Sequence, residues 1–292
     1  MSREHLAFTL DGRKKVKLRH FDPRDTGGLE KEAGVARLQE LGEEFAELGN
    51  LLTFAGQDAL LVVLQGRDAS GKDGTIRKIL DFSNMQTAHV HSFKAPSEEE
   101  RSHDFLWRVH KVVPGRGHMA LFNRSHYEDV LAARVHELVP KKTWRARYDR
   151  INAFESLLKN DSDTIVLKFY LHISRQEQYE RLLEREHSPL SAWKLNPGDW
   201  RDLPLWDEMT EAYEDALHRC SSRQCPWYLV PADRKWFRNL AVMERIVLTL
   251  RPHRQRWLKT LADLRKRVLP QIRKLRTQAG RKGLARPKHE RD

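Results

Sequence analysis

Residues 61–80 read LVVLQGRDASGKDGTIRKIL: an apolar run, a glycine-rich turn closing on Gly71 and Lys72, and the start of a helix. Two glycines at this spacing between a strand and a helix let successive backbone N–H groups and the helix N-terminus point at phosphate oxygens, and a following lysine adds a full positive charge. Gly66, Arg67, Ala69, Ser70, Gly71, Lys72, Asp73, Gly74 and Thr75 are therefore the candidate phosphate cradle. Asp68 and Asp73 stand inside it, where a carboxylate repels phosphate unless a cation lies between them. A hard cation on Asp68 turns that repulsion into a bridge, because magnesium takes one or two carboxylates together with phosphate oxygens. Asp73 occupies the position after the lysine where a Ser or Thr usually stands. In the first helical turn its charge complements the helix dipole, and for Asp73 that structural role is the preferred reading.

Outward from this loop, strand-like runs at 59–65, 88–93, 118–123, 164–170 and 227–230 alternate with helical patterns at 71–84, 98–113, 127–137, 142–159, 175–186 and 205–220. A helix over 235–250 follows the last strand, and apolar residues at helical spacing (Leu38, Leu41, Phe45, Leu48, Leu52) predict another over 29–54. Short apolar strands separated by helices predict an α/β fold, a parallel sheet covered on both faces. The division that follows is an N-terminal extension and helix over 1–55, a core over 56–250, and a basic helix and tail over 251–292. The helix in that last part is expected to reach about residue 275, with a disordered Gly/Arg/Lys/Pro end beyond it.

The formal net charge of +12 is not spread evenly: residues 251–292 hold 15 Lys or Arg against 3 acids, so the rest of the chain is neutral. Such a segment fits a polyanionic partner, and it is expected to gather a long polyanion near the site. No apolar run reaches the roughly 18 residues of a membrane helix, and the first residues carry no apolar signal core, so a cytoplasmic protein with no membrane partner is expected. Cys220 and Cys225 are too few for a disulfide framework and are read as incidental thiols. The sequence has no RNA-binding motif and no aromatic-basic stacking block, which argues against nucleic acid as the partner.

The pattern QGRDASGKDGTIR resembles the loop of the family-2 polyphosphate kinases, written Gly-x-Asp-x-x-Gly-Lys. Two later segments agree: LFNRSHYEDVLAARVH is similar to that family's second motif, and AWKLNPGDWRDLPLWDEM begins a block similar to its lid. The resemblance covers residues 22–250. It implies a P-loop kinase fold, a three-layer sandwich with about five parallel strands, a helical lid at about 187–204 and extra helices at each end. It implies reversible phosphoryl transfer between inorganic polyphosphate and nucleotides, with magnesium, or manganese as the alternative ion, and a homo-oligomer, dimer or tetramer. The NRSHYEDVL form resembles the subgroup accepting both AMP and ADP, with guanine nucleotides as further candidates. Asn123 departs from the aspartate frequent at that position and Ser191 from a lysine frequent in the lid, whereas Trp193 and Lys194 match.

Phosphoryl transfer through a loose transition state asks mainly for alignment and charge neutralisation. Lys72 and the loop amides are assigned to hold phosphate, Asp68 to place the metal with Glu128 and Asp129, and Lys194 to contact phosphate. Arg124 is assigned to bridge the transferring group and the acceptor, with Asn123, Glu128 and Asp129 in the nucleotide site. Arg181 and Arg185, at i and i+4, face one way and are candidate lid arginines closing on the transition state. Two other readings stand beside this one: an ATP-dependent nucleotide or metabolite kinase on the same fold, and a nucleic-acid-binding P-loop protein.

Overall fold

The computed structural model describes residues 5–281. Its centre is β2 (Ala59–Gln65), in which all seven residues are buried because helices cover both faces. Successive side chains alternate between the faces. Leu60, Val62 and Leu64 enter one core with the helices Lys31–Ala55 (α1) and Lys235–Leu250 (α10), and Leu61 and Val63 enter the other with Lys141–Asp161 (α6) and Trp206–Arg219 (α9). The result is a three-layer α/β sandwich.

The strands are β1 (Phe8–Leu10), β2, β3 (Ala88–Ser92), β4 (Met119–Asn123), β5 (Thr164–His172) and β6 (Trp227–Pro231), in the sheet order β1-β6-β5-β2-β4-β3. Five run parallel, and β1 pairs antiparallel with β6 through Phe8–Leu229 and Leu10–Trp227. The five expected strands are all present. β1 was not expected: three residues carry no period, and their pairing is made by a partner more than two hundred positions away.

Two expected helices are broken. The segment 98–113 becomes α3 (Glu98–Ser102) and α4 (Trp107–His110), because the Asp104 carboxylate accepts from the Leu106 N–H (2.9 Å) and starts a new turn. The segment 127–137 becomes a 3₁₀ turn, His126–Asp129, and α5 (Ala132–Val135), with the Ser125 hydroxyl accepting from the Tyr127 N–H at 3.2 Å. The other helices are α2 (Lys72–Leu80), α7 (Arg175–His187), α8 (Pro197–Asp202) and α11 (Arg254–Arg281).

Arg251 and Arg254 pair with Glu44 (2.8 Å) and Glu47 (2.6 Å), so α11 starts out alongside α1 and in the same direction. Trp257 and Arg256 then donate to the Asp58 carboxylate, each at 2.6 Å. Asp58 immediately precedes β2, at the end of the sheet opposite the glycine-rich loop. α11 runs to Arg281, past the end expected near residue 275; the rest of the expected disordered end, residues 282–292, lies outside the described residues, whereas most of the segment expected to gather a polyanion is described. No described helix is long and apolar enough to cross a membrane.

Candidate active site

The loop between β2 and α2 lies at the carboxyl end of the central strand, where open α/β sheets place their ligands. Gly71 takes φ 99°, and a Cβ there would collide with the Arg238 guanidinium. A Cβ at Gly66 would come within 2.8 Å of the Leu171 carbonyl. Both positions need glycine. Lys72 is buried, and its ammonium donates to the Gly66 and Arg67 carbonyls (2.7 and 3.0 Å), which curls the loop around it. Burial, with the Arg124 charge as the second cause, pushes the Lys72 pKa down to about 8.

Two cavities meet here. One, of about 730 Å³, is lined by Asp68, Ala69, Gly71, Lys72, Asp73, Gly74, Asn123, Arg124, Arg181, Arg185 and Lys194, which brings together most of the residues assigned to phosphate from the sequence. The other, of about 940 Å³, carries Glu128 and Asp129 with Phe93, Arg101, Phe105 and Arg108 and is more apolar. Arg124 and Asn196 line both. Arg124 sits in the left-handed region (φ 61°), follows the last residue of β4, pairs with Asp68, and reaches Glu128 at 3.2 Å. The Glu128 charge, more than that of Asp68, holds its pKa well above the usual arginine value despite burial.

The two aspartates of the loop separate by role. Asp68 is half-buried against Arg124, whereas Asp73 accepts from the Asn123 amide at 2.6 Å, tying the first turn of α2 to the end of β4. Asp68 and Glu128, hard oxygen donors on either side of one guanidinium, fit a hard cation that completes its shell with phosphate and water. Among the described residues no group of three or more His, Cys, Asp or Glu makes a metal site by itself.

Four assignments are corrected. The Arg67 side chain leaves the phosphate cavity, stacking on Trp206 (3.7 Å) and donating to its carbonyl (2.8 Å); only its backbone serves the loop. The Thr75 hydroxyl turns to Asn239 (3.3 Å). Asp129 is held by Arg108 and Arg147 (3.3 and 3.4 Å) rather than beside Asp68. Its pKa is raised by burial, which those arginines oppose. Arg181 faces the cavity with Arg185, but its guanidinium is committed to the carbonyls of Ala69, Ala232 and Asp233 (2.9, 2.9 and 2.8 Å) and to Glu177 (2.8 Å). It clamps the loop from below and is not free to close. Arg185 pairs with Asp199 at 2.7 Å and links α7 to α8. The Ser70 hydroxyl is buried, and its carbonyl accepts from Arg238 at 3.3 Å.

Sequence reading missed Arg238. It is buried, it lines the phosphate cavity with Lys235, and burial followed by the Arg181 charge lowers its pKa to about 9. Its signal was a charge at a core position of an amphipathic helix, between Phe237 and Leu240.

A sequence model of the family Polyphosphate kinase 2 matches residues 28–256. A Meiothermus ruber protein named AMP/ADP-polyphosphate phosphotransferase is 47% identical over 82% of this chain and 90% of its own length. A Rhodopseudomonas palustris protein named ADP-polyphosphate phosphotransferase is 39% identical over 78% of this chain and 82% of its own length. The crystal structure of Polyphosphate Kinase 2 from Arthrobacter aurescens TC1 superposes with a TM-score of 0.79 at 37% identity, covering 82% of this chain and 87% of that one. The lysine-centred glycine-rich loop and its two adjoining cavities are thus found in a chain that belongs to the polyphosphate kinase 2 family, enzymes that move phosphoryl groups between polyphosphate and nucleotides.

Proposed function

We propose that this enzyme catalyses reversible, magnesium-dependent phosphoryl transfer from inorganic polyphosphate to AMP and then to ADP. The observation that carries the reading is Arg124, which stands in the common wall of the two cavities. A terminal phosphoryl group held over Lys72 and an acceptor phosphate entering from the other cavity would meet at its guanidinium. Lys72, the loop amides, Lys194, Lys235 and Arg238 supply the positive field for the donor chain. Phe93 and Phe105 supply apolar area for a base, and the 47% identical relative named for both AMP and ADP supports the pair of acceptors.

The family's divalent ion, which we take to be magnesium with manganese as an alternative, would be held by Asp68 and Glu128; when bound it neutralises charge on the phosphate oxygens. Asn123 keeps Asp73 in place in the first turn of α2. We assign residues 187–204 to the lid, anchored by the Arg185–Asp199 pair, with Trp193, 70% exposed, on the cavity that Lys72 lines. A cytoplasmic location accords with the free thiols of Cys220 and Cys225. A dimer or tetramer, with guanine nucleotides as secondary acceptors, completes the proposal.

The test is turnover of AMP, ADP, GMP and GDP with polyphosphate and magnesium, with ATP as the control donor. Product from AMP and ADP with polyphosphate is the expected result. Transfer from ATP alone would replace this reading with an ATP-dependent kinase.

Lys72 gives the reading a pH dependence. With its pKa at about 8, the free enzyme presents an ammonium below that pH and a neutral amine above it. kcat/KM for polyphosphate is expected to fall as pH rises through about 8, approaching tenfold per unit. A profile flat to about pH 9.5 would show that no titration of Lys72 in this range controls donor use.

A further inference from the structure

Beneath the turn that carries Arg124 lies an ion pair closed off from water. Lys168 on β5 is 0% exposed and Glu155 on α6 is 2% exposed, and their charged atoms meet at 2.6 Å. Burying two charges is costly, and a well-packed apolar pair of similar volume would often serve stability as well or better. The position of this pair offers a reason for it.

Each oxygen of Glu155 is used. Oε1 accepts from the Tyr127 hydroxyl at 2.7 Å and lies 3.3 Å from His126 Nε2. Oε2 accepts from Lys168 and from the Cys225 thiol (3.4 Å). The Lys168 ammonium also donates to the Tyr127 hydroxyl (3.2 Å) and to the Cys220 carbonyl at the end of α9 (2.6 Å). Burial alone would raise the Glu155 pKa, but Lys168 and His126 together bring it down to about 2; Lys168, which burial would lower, is raised by the Glu155 charge. The pair stays ionised.

The anchored residues, His126 and Tyr127, are both 0% exposed and point inward from the 3₁₀ turn. Arg124 and Glu128, at i and i+4, point the other way and pair with each other at the junction of the cavities. Arg124 has its backbone in the left-handed region, which a non-glycine residue keeps only where its surroundings impose it. The surroundings are the Arg124 N–H on the Leu64 carbonyl (3.0 Å), the Gln65 amide, whose oxygen accepts from the Ser125 N–H and hydroxyl and whose nitrogen donates to Glu128 (3.1 Å each), and the two inward rings held by Glu155. The last residue of the turn is held as well, by Arg147 on the Asp129 carbonyl (2.9 Å) and Arg108 on its carboxylate (3.3 Å), and the Glu155 network is what holds the two inward side chains.

We propose that Glu155 and Lys168 are positioning residues for phosphoryl transfer, holding the His126–Asp129 turn through Tyr127 and His126 so that Arg124 and Glu128 meet the transferring group. The proposal rests on the activity proposed above. It gives a charged pair, rather than an apolar one, a use in this core: the pair presents fixed polar contacts to the inward side chains of a turn whose backbone closes its own hydrogen bonds, Glu128 on Ser125 and Val130 on Tyr127.

The test uses two variants of the full chain. Tyr127→Phe keeps the ring packing and removes the hydroxyl. Glu155→Gln with Lys168→Met removes both charges together, so that neither is left buried and unpaired. Each folded variant is expected to lose about tenfold or more in kcat, since small misplacements of a reacting geometry cost that much. The polyphosphate KM should stay near wild type, because Lys72 and its loop are not touched by the network. A purely structural pair would lower the melting temperature and leave kcat of the folded fraction unchanged. Wild-type kcat in Tyr127→Phe overturns the proposal, whether or not the double variant folds. Should the wild-type enzyme use only ATP as donor, the polyphosphate reading fails separately, and the same kcat comparison is made with ATP.

Discussion

The Arg124→Ala enzyme is expected to lose about three orders of magnitude in kcat, the scale on which arginines that stabilise a transferring phosphoryl group act. Arg124 is the residue whose side chain reaches both cavities while carrying a charge that two acids keep fully in place. Its guanidinium can span donor and acceptor oxygens at once, a geometry that alanine removes and that a lysine's point charge does not reproduce. Arg124→Lys should therefore recover only a small part of the loss. Because Lys72, Lys194 and Arg238 remain, the polyphosphate KM is expected to change little. A raised donor KM with kcat unchanged, measured by initial rates with each substrate varied, would show that Arg124 binds the donor equally in the ground and transition states and does not act on the moving group.

Asp68→Asn is the second large effect, a fall in kcat of two or more orders of magnitude, or about 3 kcal/mol of lost transition-state stabilisation. The substitution preserves shape and removes the charge that would bind the cation and that faces Arg124. Folding should survive, since the side chain lies at a cavity wall and outside the apolar core. Raising magnesium should recover part of the rate if the loss is one of metal affinity. Near wild-type rates across a magnesium titration would remove Asp68 from the metal site and leave it as a partner of Arg124 alone.

The phosphate loop was legible because every feature it needs is local: an apolar strand, glycines where side chains collide, and a lysine at the helix start. The helical stripes of α1 and α10 were legible for the same reason. What escaped depended on distant partners. β1 exists only as a row paired to β6. Arg67, in the middle of the loop, looked like a phosphate ligand until Trp206 and Thr210 drew its side chain to the other side. The i,i+4 spacing of Arg181 and Arg185 gave their common face, but not that backbone carbonyls would saturate the first and an aspartate pair with the second. Asp129 read as a metal ligand because its neighbours Arg108 and Arg147, 21 and 18 positions away, lie outside any motif. Arg238 was hidden on the core face of an amphipathic helix, and only the fold brings it against Gly71.

The docking of Arg256 and Trp257 on Asp58 sets a front and a back to the molecule. Seven residues of β2 separate Asp58 from the loop, about 23 Å at the usual rise of a strand. The family match ends at residue 256, and the exposed, arginine- and lysine-rich length of α11 lies beyond it, at the back of the core. A solid support that captured the enzyme by this helix, such as a cation-exchange resin, would turn the two cavities around Arg124 toward the solution. A fusion partner or affinity tag joined on that side would likewise sit clear of them.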